Sequence, residues 1–170
     1  MKIDKQQIRG LVKSFLYAFR GLWLCIRNER NMRIHLVVAV VVTIFSLVFG
    51  LTALEYAVLI LAMGFVIVAE MVNTAIEALV DLQSPAYDSL ARIAKDVAAG
   101  AVLIAAGVAV LVGIGLFWKP QKLLAALACV FTSPFLLILF AVLITAGTLF
   151  IFKGTEMFRL PKGKSSRTRG

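Results

Sequence analysis

Tyr56-Ala-Val-Leu-Ile-Leu-Ala-Met-Gly-Phe-Val-Ile-Val-Ala-Glu70-Met-Val-Asn73-Thr-Ala-Ile-Glu77-Ala-Leu-Val-Asp81 is the stretch that decides the fold. It is apolar without interruption to Ala69 and then turns polar. A membrane span needs ~20 mostly apolar residues, because a helix rising 1.5 Å per residue must cross ~30 Å of hydrocarbon with its backbone groups bonded internally. No Gly or Pro intervenes between Val66 and Asp81, so the spacing predicts one helix that leaves the hydrocarbon and continues into water.

Further spans lie on either side. An apolar run from Ile34 to Leu51 predicts a first span, joined to the quoted helix by a turn at Gly50 to Glu55. A third is predicted from Val97 to Trp118, with Ala99, Gly100, Ala106, Gly107 and Gly113 as small residues that permit close helix packing. The stretch from Leu123 to Phe152 is too long for one upright span and is broken by Pro134. It predicts an interfacial or tilted lead-in, then a fourth span from Phe135 to Phe152. Upstream, Ile8, Leu11, Val12, Phe15, Phe19, Leu22, Trp23 and Ile26 recur at helical spacing, with Arg9, Lys13, Arg20 and Arg27 along one flank. That pattern suits an amphipathic helix lying in the headgroup layer, its cations near anionic lipid or a nucleotide's phosphates.

The expected fold class is therefore an all-α membrane protein: a surface helix, a bundle of three spans and a fourth C-terminal span. Composition agrees, with 61% hydrophobic and 16% charged residues and a mean hydropathy of +0.96, against ~25% charged in ordinary soluble domains. The formal net charge of +9 would suggest nucleic acid in a soluble chain, but its distribution points to topology and to no nucleic-acid partner. Eight cations from Lys2 to Arg33 precede the first span, and a cluster from Lys153 to Arg169 follows the last. By the positive-inside rule both termini are expected in the cytoplasm, which requires an even number of crossings. No cleavable signal is evident at the polar, basic N-terminus. Cys25 and Cys129 have no CxxC spacing and His35 has no partner His, so neither a zinc site nor a disulfide is expected. The tail from Lys162 has the composition of a disordered segment.

Glu70, Asn73, Glu77 and Asp81 are spaced three, four and four apart, which gathers them within an arc of roughly 80° on the second span. Three carboxylates and an amide on one stripe repel one another unless a cation or a reaction employs them. A solvated helix face accounts for Asp81, less well for Glu77, and poorly for Glu70, which directly follows the apolar run. Arg92, Lys95 and Asp96 stand at the entry of the third span and reach the same depth if the two helices are antiparallel. Capping and snorkelling would explain them; so would phosphate binding. Glu29, just before the first span, is placed to add a carboxylate. Carboxylates and a lysine converging at the membrane boundary suit Mg²⁺-assisted phosphoryl transfer, the metal neutralising phosphate charge and a carboxylate taking a hydroxyl proton. A membrane protein that binds a cation or assembles without turnover would use the same stripe.

The run Glu70-Met-Val-Asn-Thr-Ala-Ile-Glu-Ala-Leu-Val-Asp81, followed by Ala94-Lys-Asp-Val-Ala-Ala-Gly-Ala-Val102, resembles the signature of the prokaryotic integral-membrane diacylglycerol/undecaprenol kinases. The likeness covers residues 13 to 118 and includes Arg20-Gly-Leu and Asn28-Glu-Arg-Asn31; Arg30, Asn31 and His35 look more like the Gram-positive undecaprenol kinase branch. It implies a homotrimer of three-span subunits in the bacterial plasma membrane, with active sites at the cytoplasmic boundary. No P-loop or protein-kinase motif is present. By that resemblance Glu70 is the general base, and Glu29 and Glu77 hold the Mg²⁺ that bridges the ATP phosphates. Asn73, Lys95 and Asp96 position the γ-phosphate and nucleotide, with Tyr17 and the loop Ala86, Tyr87 and Asp88 near the rest of the ATP.

Two departures from the family pattern stand out. Asp88 occupies a place where relatives usually carry His and Gly10 one where some carry Arg, which changes the side chains offered to nucleotide there. The segment from Pro120 onward has no counterpart in the basic three-span unit and shows no phosphatase motif. The expected organisation is a lipid kinase unit over 1–118, an extra transmembrane segment over 119–154 and a basic tail over 155–170. The expected activity is phosphorylation of a membrane lipid alcohol, undecaprenol first and diacylglycerol as the alternative.

Overall fold

The computed structural model describes residues 5–83 and 89–157. The expectations for Ala86, Tyr87 and Asp88 and for the tail from Lys162 lie outside these residues. The described chain forms helices α1 (Lys5–Asn28), α2 (Arg30–Phe49), α3 (Ala53–Gln83), α4 (Ser89–Phe117), α5 (Pro120–Thr132) and α6 (Pro134–Met157), and it contains no strand. It is an all-α membrane protein. Four of the helices, α2, α3, α4 and α6, are long and apolar enough to cross a membrane.

Helix α1 leaves its apolar side chains uncovered by protein along most of its length, with Leu11, Phe15 and Phe19 all exposed. A helix with one apolar face and one basic flank gains by laying that face in the acyl boundary, which fits a surface helix. Chain direction changes at Glu29, which has extended backbone (φ −99°, ψ 122°) and precedes α2 without using its carboxylate as a cap.

Helix α2 stops at Gly50, whose N–H still donates to the Ser46 carbonyl while its left-handed backbone (φ 69°, ψ 64°) turns the chain out of the helix, a conformation that costs a residue with a Cβ. Helix α3 then starts on a capping box. The Thr52 N–H and hydroxyl both donate to Glu55 Oε2, at 2.8 and 3.0 Å, and the Glu55 N–H returns to Thr52 Oγ1 at 3.4 Å. At 31 residues, α3 is about 46 Å long, well beyond a ~30 Å hydrocarbon layer, and this excess carries Glu77 and Asp81 past the apolar part of the helix.

Among the described residues, helices α3 and α4 form the most extensive contact and run antiparallel, with the end of α3 beside the start of α4 at Asp81 and Lys95; Leu59 and Val66 are buried on one side and Ala98, Val102 and Ala105 on the other. Close approach here is made by alanines. At Gly100, Gly107 and Gly113 a Cβ would meet nothing within 4 Å, so that part of α4 is left uncovered by the described residues. Helix α4 also starts earlier than the apolar run alone suggests, at Ser89, so Arg92, Lys95 and Asp96 ride on its polar first turns.

The apolar stretch after the third span breaks where Pro134 requires it. Ser133 closes α5 and Pro134 opens α6, because a proline lacks the donor and the room needed inside a helix. Helix α6 lies on α2. A Cβ on Gly147 would come within 2.6 Å of Val37 Cγ1, so the two backbones approach more closely there than any other residue type allows. The α5–α6 hairpin is tied at both ends. At one, Phe45 meets Phe117 and Phe140 at centroid distances of 5.5 and 6.5 Å, Lys119 pairs with Glu55, and Lys122 Nζ donates to the Gly50 carbonyl at 2.6 Å. At the other, the Arg30 guanidinium stacks 4.5 Å from the centre of the Phe152 ring.

Candidate active site

Glu70, Asn73 and Glu77 share one wall of a cavity of about 380 Å³, bounded on the α2 side by Asn31, Ile34 and His35 and on the α4 side by Ala99, Val102 and Ala106. One helical stripe thus becomes one wall of a pocket, as its spacing predicts. Glu70 is 1% exposed and Asn73 7%. The Asn73 amide Nδ2 donates to Glu77 Oε1 at 2.9 Å, while Glu70 Oε2 and Asn73 Oδ1, both buried, have no partner among the described residues. A buried acceptor without a donor costs roughly 1–3 kcal/mol, and two of them on the wall of one cavity mark where a ligand's donors or a cation belong.

Glu29 is held at the α1–α2 elbow, half-buried. Burial pushes its carboxyl above the usual carboxylate range, repulsion from Glu77 pushes the same way, and the Arg33 charge partly offsets both. Glu29 stands in the link between α1 and α2 and, unlike Glu77, does not line the cavity. Cys25, one turn before Glu29, is buried; burial likewise raises its thiol, and the Thr74 side chain on α3 partly offsets the rise. That proximity sets the end of α1 beside the acidic stripe.

The remaining expected site residues lie elsewhere. Asp81, near the end of α3, and Lys95, near the start of α4, are paired to each other, and Asp96 pairs with Arg92 at 3.7 Å, both side chains well exposed. Neither Lys95 nor Asp96 lines the cavity. Tyr17 is 67% exposed on α1. Arg33, which carried no expectation beyond flanking a span, is fully buried; its sequence position beside an apolar run gives no sign of this, since cations flank most spans.

Carboxylate and amide oxygens are hard donors that suit Mg²⁺. Among the described residues no three of His, Cys, Asp and Glu are gathered closely enough to enclose an ion. Mg²⁺ bound through one or two carboxylates, with substrate phosphates and water completing its shell, needs no such cage, and the carboxylates of Glu29 and Glu77 suit it by the chemistry of their oxygens.

A second cavity of about 360 Å³ adjoins the first and shares His35 and Ala106 with it. Its other walls are apolar, from Val38 and Val42 on α2, Leu59, Met63 and Val66 on α3, and Val110, Gly113 and Phe117 on α4. Acid at one end and hydrocarbon at the other describe a site for an amphiphile.

Comparison with known proteins accords with this geometry. The family model described as prokaryotic diacylglycerol kinase matches residues 16–117. The chain belongs to that family. It is 36% identical over 116 residues to the undecaprenol kinase of Bacillus subtilis (strain 168), covering 68% of this chain and 94% of that protein. Against a diacylglycerol kinase of Synechocystis it is 45% identical over 105 residues, 61% of this chain and 60% of that protein. Against the diacylglycerol kinase of Escherichia coli (strain K12) it is 32% identical over 109 residues, 64% and 89% of the two chains. No solved structure matches. The protein is a lipid kinase of the bacterial membrane, with several spans, and membership of a kinase family implies ATP as co-substrate. The family match ends at the close of α4, so α5 and α6 lie beyond the shared unit.

Proposed function

We propose that the protein transfers the γ-phosphoryl group of ATP, with Mg²⁺, to the terminal hydroxyl of undecaprenol. The observation that carries this reading is the junction of the two cavities at His35 and Ala106. A hydroxyl placed against the unpartnered Glu70 Oε2 leaves its hydrocarbon chain to run past that junction between α2, α3 and α4, where apolar walls favour it by about 25 cal/mol per Å² removed from water. The likeness to an undecaprenol kinase over nearly all of that protein's length supports the choice of lipid. Diacylglycerol is the second reading, favoured by the higher identity to a diacylglycerol kinase over a shorter stretch.

In the proposed mechanism Glu70 accepts the hydroxyl proton as the lipid oxygen attacks the γ-phosphorus; an O–P bond forms, the bond from the γ-phosphorus to the bridging oxygen breaks, and ADP leaves. Glu29 and Glu77 would hold Mg²⁺, which would supply charge neutralisation at the phosphates. Asn73 orients Glu77 through its amide, and its unpartnered Oδ1 is left as an acceptor for a ligand's donor. Lys95 and Asp96 bind nucleotide by exchanging their present partners, Asp81 and Arg92, which costs little because exposed pairs contribute only ~0–1 kcal/mol. Tyr17 and Ala86, Tyr87 and Asp88 complete the nucleotide site. The lipid kinase unit is residues 1–118, with 119–154 as an added transmembrane segment and 155–170 as a basic tail; subunits assemble as a homotrimer with both termini in the cytoplasm, where the cations at each end are retained.

The test is direct competition. Purified protein in detergent with Mg²⁺ and labelled ATP is offered undecaprenol and diacylglycerol together, and labelled undecaprenyl phosphate is expected to dominate. Labelled phosphatidic acid in excess selects the second reading, and no labelled lipid from these or any other membrane alcohol refutes both.

A further inference from the structure

Arg33, in the first turns of α2, is 0% exposed. One terminal nitrogen, Nη1, donates to the carbonyls of Ile26 at 3.1 Å and Arg27 at 2.9 Å, in the last turn of α1. Such carbonyls have no helical partner and carry the negative end of the helix dipole, so a cation is favourable there. The cost is nonetheless high. Nε and Nη2 are buried without a partner among the described residues, and a buried charge that is only partly hydrogen-bonded is usually less stable than an apolar side chain of equal volume. Packing does not account for an arginine at this place.

What the arginine does achieve is local to Glu29. The Glu29 N–H donates to the Cys25 carbonyl at 2.8 Å, and the Glu29 carbonyl accepts from the Arg33 N–H at 3.4 Å. With the Arg33 guanidinium clamped on residues 26 and 27, the backbone of Glu29 is fixed from both sides while its carboxylate stays free of capping duty. Helix α1 also touches α3 and α6, but most of its apolar side chains are exposed, so the elbow has a large share in setting its angle to α2.

We propose that Arg33 is a positioning residue: by joining the end of α1 to the start of α2 it aims the Glu29 carboxylate toward Glu77, so that the two form one divalent-cation site rather than two separate acids. This inference rests on the assignment of Glu29 and Glu77 to the metal. Partners that orient a metal ligand typically contribute about 10–100-fold in metal affinity, which sets the size of the expected effect.

The experiment measures Mn²⁺ bound to the full-length protein in detergent micelles with a non-hydrolysable ATP analogue, read from the electron paramagnetic resonance signal of free Mn²⁺, for the parent, E29Q, R33Q and R33Q/E29Q. R33Q is expected to weaken Mn²⁺ binding about 10-fold or more, and to add less than about 2-fold in the E29Q background, since residues acting through one another are non-additive. Parental affinity in R33Q, or an equal loss with and without Glu29, overturns the inference. Should R33Q fail to fold, R33K decides: its single ammonium cannot reproduce the fork geometry, so weakened Mn²⁺ binding that vanishes in the E29Q background is expected, and parental affinity overturns the proposal. Parental Mn²⁺ binding by E29Q itself would refute the metal assignment beneath it, a result distinct from failure of Arg33 alone.

Discussion

Asn73 Nδ2 donates to Glu77 Oε1 at 2.9 Å, one helical turn apart on α3. The bond fixes which oxygen of Glu77 remains for a ligand, and it turns Asn73 Oδ1, buried and unpartnered, toward the same space. Replacing Asn73 by Leu keeps approximate volume and removes both functions. The variant is expected to fold and to lose at least about 10-fold in kcat/KM, the usual effect of removing a group that orients a metal ligand. Labelled-phosphate transfer alongside thermal unfolding in detergent checks this; a fall in stability equal to that of an unrelated cavity mutation, with parental kcat/KM, would make Asn73 merely structural.

Glu70 lines the acidic cavity with an unoccupied acceptor. Glu70→Gln preserves shape and hydrogen bonding but removes the base. Turnover is expected to fall about 10²–10⁴-fold, while binding of the lipid changes little. Near-parental turnover would take Glu70 out of the base role.

The cavity wall was legible in the sequence because helical spacing alone aligns Glu70, Asn73 and Glu77, and the break at Pro134 because proline cannot continue a helix. The partner of Lys95 was not. Whether an exposed lysine turns to a phosphate or to Asp81 depends on the register of α3 against α4, which no local pattern encodes. Arg33 was hidden for a related reason, since a cation beside a span looks the same whether it snorkels to water or folds back on carbonyls of the preceding helix. The tightest approach among the described residues is at Gly147, against Val37, 110 positions earlier in the sequence (147 − 37), and no local pattern encodes a contact at that separation.

Burial and Glu77 raise the Glu29 carboxyl above its ordinary range, so its ionised form is held at a cost in the metal-free protein. The favourable contribution of the neutral form is complete below the unfolded pKa and is lost as pH rises through the raised folded value. Glu29→Gln is therefore expected to raise the metal-free unfolding temperature at pH 7 and to leave it nearly unchanged at pH 4, below both values. Mn²⁺ binding is expected to weaken as pH falls through the raised pKa, because proton and metal compete. Unfolding curves in chelator at the two pH values give the answer; a Gln variant less stable than the parent at pH 7 would contradict the repulsion between Glu29 and Glu77.

The hairpin beyond the shared family unit meets α2 at its tightest point where Gly147 faces Val37. A methyl group at 147 would sit 2.6 Å from Val37 Cγ1, far inside contact distance, and a β-branched side chain in a helix has almost one χ1 rotamer open to it. Gly147→Ala is expected to push α6 away from α2 and to cost about 1–3 kcal/mol of stability. Val37→Ala removes the obstructing methyls, so the double variant should recover most of that loss, a coupling that a double-mutant cycle reads directly. Because neither residue lines the acidic or the apolar cavity, phosphoryl transfer by the folded double variant should stay within about 2-fold of the parent, as expected when distant sites act independently. Thermal unfolding in detergent with a parallel kinase assay separates the cases: additive losses would mean that α6 does not pack on α2 at this point, whereas recovered stability with lost turnover would mean that the added span shapes the active site from outside.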